Sequence, residues 1–147
     1  MLFGLNLEKA EKKLLKKIYK ITGEGFESKV DGKSASLYKR LKYPDTKQEI
    51  FIAIMAYANK QMYCTVEVGK IQVTAEVLVL LNDLNNKLVG TMSFCIDQDK
   101  CLLVNAVYSN VSLFTIKKDV ACFFGDLCSK NVSEGIKKLL PQLKPID

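Results

Sequence analysis

EIFIAIMAYANKQMYCTVEV, residues 49–68, decides how this chain folds. Both halves are rich in β-branched and aromatic side chains, and Asn59-Lys60 between them reads as a turn. In the second half Met62, Cys64, Val66 and Val68 alternate with more polar neighbours, and a period of two places all four on one face of a strand. The first half is apolar at both parities, so each of its faces needs a cover: a core on one side, a further layer or another subunit on the other. Together the halves predict a central antiparallel hairpin.

Working towards the N-terminus, Pro44-Asp45-Thr46 makes a turn, and Asp31-Gly32 separates two extended runs, Phe26 to Val30 and Ser34 to Tyr43. Before them Leu7, Ala10, Leu14 and Ile18 recur at helical spacing, which predicts a helix from Asn6 to Tyr19 with Asn6 as its cap and Gly23 and Gly25 as its stop. Working towards the C-terminus, Thr74 caps a helix from Ala75 to Lys87 whose apolar positions are Val77, Leu80, Leu81, Leu84 and Leu88; Asn85-Asn86 and Gly90 suit its end. Strands Gly90 to Ile96 and Cys101 to Tyr108 follow around the acidic turn Asp97-Gln98-Asp99-Lys100. A last helix, capped by Ser112 or Thr115, carries the stripe Ile116, Val120, Phe123, Phe124 and Leu127. Its pattern is interrupted at SKNVSEG, resumes at Ile136, Leu139 and Leu140, and ends at Pro141. The expected fold is α+β: an antiparallel sheet of five to six strands flanked by N-terminal, middle and C-terminal helices, in a single domain spanning 1–147.

Composition narrows the function. At 147 residues, 48% hydrophobic and 26% charged, the chain is of ordinary globular make-up. The longest apolar stretches, such as Ile50 to Ala58, fall short of the roughly 20 residues a membrane-spanning helix needs, and the N-terminus does not place positive charge ahead of a long apolar run. No transmembrane segment and a cytoplasmic location are the expectation. Five cysteines, none in a CxxC pair, and the absence of histidine leave no Cys/His metal pattern and no Ser/His or Cys/His nucleophile. Disulfides are not implied; Cys95 and Cys101 would face each other only across a three-residue loop. Asp97 and Asp99 read as turn formers, two oxygens' worth of ligands being too few for a hard cation that takes about six. No glycine-rich phosphate loop is present. Neither a cofactor nor a catalytic residue is predicted, and the protein is not expected to be an enzyme.

What remains is binding. The apolar residues Phe51, Ala53, Met55, Phe123 and Phe124 are candidates for a protein interface, that of a homodimer included, although ordinary core packing is the first reading of each. The charge is uneven: residues 1–47 hold twelve Lys and Arg against six Asp and Glu, which is the whole of the net +6. Lys9, Lys13, Lys16 and Lys20, with Lys12 and Lys17 beside them, form a basic helix face, and Lys39, Arg40 and Lys42 make a second cluster. Such a face either is merely solvated or attracts an anionic membrane or nucleic acid.

The segment LNDLNNKLVGTMSFCIDQDKCLLVNAVY, residues 81–108, resembles the YbjN-type proteins, bacterial proteins whose fold is like that of type III secretion chaperones. Leu81, Leu84, Asn85, Leu88, Phe94, Asp97, Asp99, Leu102 and Val104 match the family pattern of a leucine- and asparagine-bearing helix end, a strand, an acidic turn and a second strand; Lys100 stands where a glycine is usual. The resemblance implies a small α+β scaffold that binds proteins as a regulator or chaperone-like adaptor, often self-associating, with no catalytic residue attached to the motif.

Overall fold

The computed structural model describes residues 4–88 and 92–144. Helix α1 (Leu7–Thr22) begins where the Asn6 side chain accepts the Lys9 backbone N–H at 3.1 Å. It runs past the expected end at Tyr19 because the left-handed residue that stops it is Gly23, φ 74°, whose N–H donates to the Tyr19 carbonyl. Strands β1 (Glu27–Val30) and β2 (Ser34–Lys42) form the expected hairpin, with Asp31 Oδ1 accepting the Lys33 and Ser34 amides at 2.7 and 2.8 Å. β3 (Glu49–Tyr57) and β4 (Met62–Lys70) are the central hairpin, and Met62, Cys64, Val66 and Val68 are all buried on one face.

Thr74 caps α2 (Ala75–Lys87) through the Val77 amide. β5 (Ser93–Ile96) and β6 (Cys101–Tyr108) follow; the expected start of β5 at Gly90 lies outside the described residues. At the next helix the two expected caps divide the work. Thr115 holds the N-cap position of α3 (Ile116–Leu127), while Ser112 Oγ accepts the Phe114 and Thr115 amides. The interruption at SKNVSEG is a full break. Ser129 turns extended and its hydroxyl donates to the Asp126 carbonyl at 2.6 Å, after which α4 (Lys130–Leu139) starts afresh and ends in a short 3-10 turn at Leu140–Gln142.

The described strands make one antiparallel sheet in the order β1-β2-β3-β4-β6-β5. After β4 the chain crosses through α2 to the far edge, lays down β5, and the hairpin back inserts β6 beside β4. The register fixes two faces. One row, Ser28–Leu37–Ile54–Cys64–Ala106, turns inward; the neighbouring row, Glu27–Tyr38–Ala53–Thr65–Asn105–Ser93, turns outward. The four described α-helices all serve the inner face. α1 and α3 pack side by side over the β1–β3 half, α2 and α4 over the β5 half, and together with Ile52, Val66, Val104 and Phe94 they enclose one continuous core.

Two polar contacts fasten helix to sheet, one in each half. Tyr43, 1% exposed just beyond β2, donates its hydroxyl at 2.7 Å to the Leu127 carbonyl at the end of α3, and burial holds its phenol above the usual range. Asn85 reaches from α2 to β5, its Oδ1 accepting the Phe94 N–H at 2.7 Å and its Nδ2 donating to the Phe94 carbonyl at 2.9 Å. The register sets Cys95 opposite Leu103, so Cys95 and Cys101 are diagonal neighbours, and all five cysteines are free thiols.

Candidate functional site

Among the described residues no helix lies on the outward face of the sheet, and the sequence-predicted Phe51, Ala53 and Met55 lie at its centre along β3. Each is half-buried, screened only by neighbours on the same face. Tyr38 lies beside Phe51 with ring centroids 6.3 Å apart, the Arg40 guanidinium stands 5.4 Å over the Phe51 ring, and Tyr57 meets Tyr63 edge-on at 5.4 Å. Tyr63 and Val107 continue the patch outward, 38% and 41% exposed. An antiparallel sheet commonly leaves one face wet and polar; here Tyr38, Phe51, Ala53, Met55, Tyr57, Tyr63, Leu103 and Val107 make an apolar patch on that face, interspersed with Ser36, Arg40, Thr65, Glu67 and Asn105.

A second apolar surface opens at the sheet margin. β1 pairs with β2 only as far as Tyr38, so Lys39 to Lys42 have an unpaired strand edge. Between that edge, the C-terminal turn of α1 and the C-terminal half of α3 runs a groove of about 960 Å³. Ile21, Leu41, Ile50, Ile52, Phe124 and Leu127 supply its apolar lining; Lys17, Lys39, Arg40 and Lys42 stand around it, with Glu24 the lone acid. Lys39 pairs with Glu24 at 3.7 Å, the only salt bridge among the described residues. Three cations on the rim are therefore uncompensated. The sequence shows these lysines as two separate clusters. Only the packing of α1 along β2 brings Lys17 to Lys39, Arg40 and Lys42, which is why the groove has no local signature.

The two other predicted aromatics are placed differently. Phe123 is fully buried, and Phe124, 6% exposed, packs edge-on against Phe123 at 5.1 Å and Phe26 at 6.4 Å. Phe123 faces no solvent; Phe124 contributes an edge to the groove. The structure does not join them to Phe51, Ala53 and Met55, because α3 and the outward residues of β3 lie on opposite sides of the sheet.

Lys9, Lys16 and Lys20 are exposed along α1 and Lys13 is half-buried, none of them in a salt bridge among the described residues. Their stripe faces α3, where Lys117 comes close enough that Lys13 first, then partial burial, then Lys16, Lys20 and Lys17 lower its pKa. Burial pushes Cys64, Cys95, Cys101 and Cys128 upward, and no neighbour stabilises a thiolate in Cys64. In the acidic turn, Asp97 Oδ1 accepts the Asp99 and Cys101 amides at 2.9 Å each, so this carboxylate is occupied in shaping the backbone. Among the described residues no three Cys, Asp or Glu side chains converge to hold a metal, and no helix is long and apolar enough to cross a membrane.

No family model and no curated protein matches the sequence. Solved structures do. The chain is similar to the Yersinia pestis type III secretion chaperone SycH, crystallised in complex with a stable fragment of YscM2, at 16% identity and a TM-score of 0.51 over 84% of this chain and 98% of that one. It is similar also to a chain of the ExsC–ExsE complex, at 11% identity and a TM-score of 0.53 over 97% of this chain and 99% of that one. At such identities the likeness is one of fold: an α+β sheet with flanking helices of the type III secretion chaperone kind. Both similar structures are complexes with a protein partner.

Proposed function

We propose that this protein is a non-catalytic, chaperone-like adaptor that holds a segment of a partner protein in the groove beside α1 and self-associates through its open sheet face. The observation that carries the reading is the groove itself: an apolar channel, rimmed by cations, alongside a free strand edge. An extended or helical segment with apolar anchors and acidic flanks meets each of these features, its backbone at Lys39 to Lys42, its anchors over Ile21 and Phe124, its acids near Lys17, Arg40 and Lys42. Support comes from the fold shared with a secretion chaperone crystallised on a protein fragment. The resemblance of residues 81–108 to the YbjN-type proteins agrees with an adaptor role.

Self-association has its own support. The open sheet face carries Phe51, Ala53 and Met55, with Tyr63 and Val107 38% and 41% exposed beside them. The test is affinity capture from the native extract with quantitative mass spectrometry, run beside sedimentation velocity. Ile21→Asp, at a position 40% exposed, removes the captured partner while leaving the oligomer intact; Met55→Glu shifts the protein to monomer. A wild-type protein that is monomeric, with the same captured set as Ile21→Asp, overturns the proposal.

A further inference from the structure

We infer that the α1–α3 side of the molecule, adjoining the groove, is a docking surface for an anionic lipid membrane, an inference independent of the adaptor reading. Three observations meet there. α1 packs along α3, and Lys13, Lys16, Lys17 and Lys20 share one face of α1 at helical spacing; that face lies beside Lys117 of α3, whose pKa these lysines lower. None of them has a salt-bridge partner among the described residues, although α1 carries six lysines and two glutamates. And Phe114, 97% exposed, stands in the turn that opens α3. That turn is already helical in its bonding, Ile116 N–H to the Ser112 carbonyl and Asp119 N–H to the Thr115 carbonyl, so Phe114 lies one turn from Lys117 and Lys118 on the same side of the helix.

The chemistry selects a bilayer over other polyanions. Unpaired lysines spread along a helix suit a diffuse sheet of headgroups, where each contributes separately and its stem snorkels. A duplex is held and read mainly by arginine and by polar side chains in a groove, and single strands by rows of aromatics; this side has no arginine, and its exposed rings, Tyr19 on α1 and Phe114 before α3, make no row. An aromatic side chain almost wholly in water at the tip of a cationic surface is placed for the acyl–headgroup boundary, where its apolar area is removed from water while the lysines stay at the phosphates. The attachment is reversible, since a few lysines and one ring fall well short of stable anchoring.

The experiment is co-sedimentation of the full chain with phosphatidylcholine vesicles and with vesicles containing one third phosphatidylserine. Binding is expected to the second only, and to vanish at high salt. Lys16→Gln with Lys20→Gln weakens it about 25-fold, roughly fivefold for each charge. The chain contains no tryptophan, so Phe114→Trp introduces a sole reporter whose emission shifts to the blue on anionic vesicles and stays put on neutral ones. The inference is overturned by any of three results: no sedimentation at low salt, sedimentation insensitive to the two lysines, or a tryptophan whose emission is unchanged on anionic vesicles. Gel retardation of a mixed-sequence duplex, lost in the double variant while vesicles go unbound, would assign the strip to nucleic acid instead.

Discussion

At the scale of single residues, the segment that most resembles a family motif is explained by backbone accounting. Asn85 satisfies both the N–H and the carbonyl of Phe94 with one side chain, so α2 and β5 are joined by two hydrogen bonds at 2.7 and 2.9 Å. Asn85→Ala leaves both backbone groups out of bulk water and unpaired, and it is expected to lower stability by about 2–3 kcal/mol in urea unfolding. In the acidic turn between β5 and β6, Lys100 holds φ at 62°, the left-handed region where glycine is at ease and a long side chain is not. Lys100→Gly is expected to raise stability by about 0.5–1 kcal/mol, the relief of that conformation outweighing the added freedom of the unfolded chain. An unchanged or lower unfolding midpoint would show that the Lys100 side chain stabilises the turn by other contacts.

At the scale of elements, the turn Asp97-Gln98-Asp99-Lys100 sets how β5 meets β6 and so how α2 meets α4. α4 approaches closely there: a Cβ on Gly135 would sit 3.0 Å from the Phe94 ring and 3.2 Å from both Leu84 methyls. Gly135→Val is expected to cost about 2 kcal/mol in thermal or urea unfolding, because overpacking against a buried ring and leucine exceeds the gain in helix propensity. Local elements of this kind are legible in the sequence wherever one side chain or one period decides them. Asn6, Thr74 and Asp31 carry their caps and turns in their own chemistry, and the alternation from Met62 to Val68 states which face is buried. The strand order is not legible, since pairing β4 with β6 across an intervening helix and strand depends on long-range packing. For the same reason Phe51, Ala53 and Met55 are legible as a surplus of apolar residues on β3, while the groove is not: its walls come from α1, β2, β3 and α3.

At the scale of the whole molecule, the free thiols and Tyr43 link stability to alkaline pH in a definite direction. Burial raises Cys64 far above its ordinary 9.0, with Asp119 adding to the effect, and burial likewise raises Tyr43 above 10.0. In the unfolded chain both groups release their protons at the ordinary values, so between those values and the raised ones the folded state holds protons that the unfolded state has lost. Their contribution is therefore complete below pH 9 and declines as pH climbs, first through Cys64 and then, above pH 10, through Tyr43 as well. Cys95, Cys101 and Cys128 shift the same way. Lys117, lowered chiefly by Lys13, works in the opposite sense, but its charge is in contact with solvent and its effect is screened by salt. Urea unfolding at moderate ionic strength is expected to give a plateau from neutrality to about pH 9, then a fall approaching 1.4 kcal/mol per pH unit for each group engaged. Cys64→Ala is less stable throughout, because it opens a cavity in the core, yet its decline is shallower between pH 9 and 10. Parallel curves for wild type and Cys64→Ala across that interval would show that Cys64 does not govern the alkaline limb.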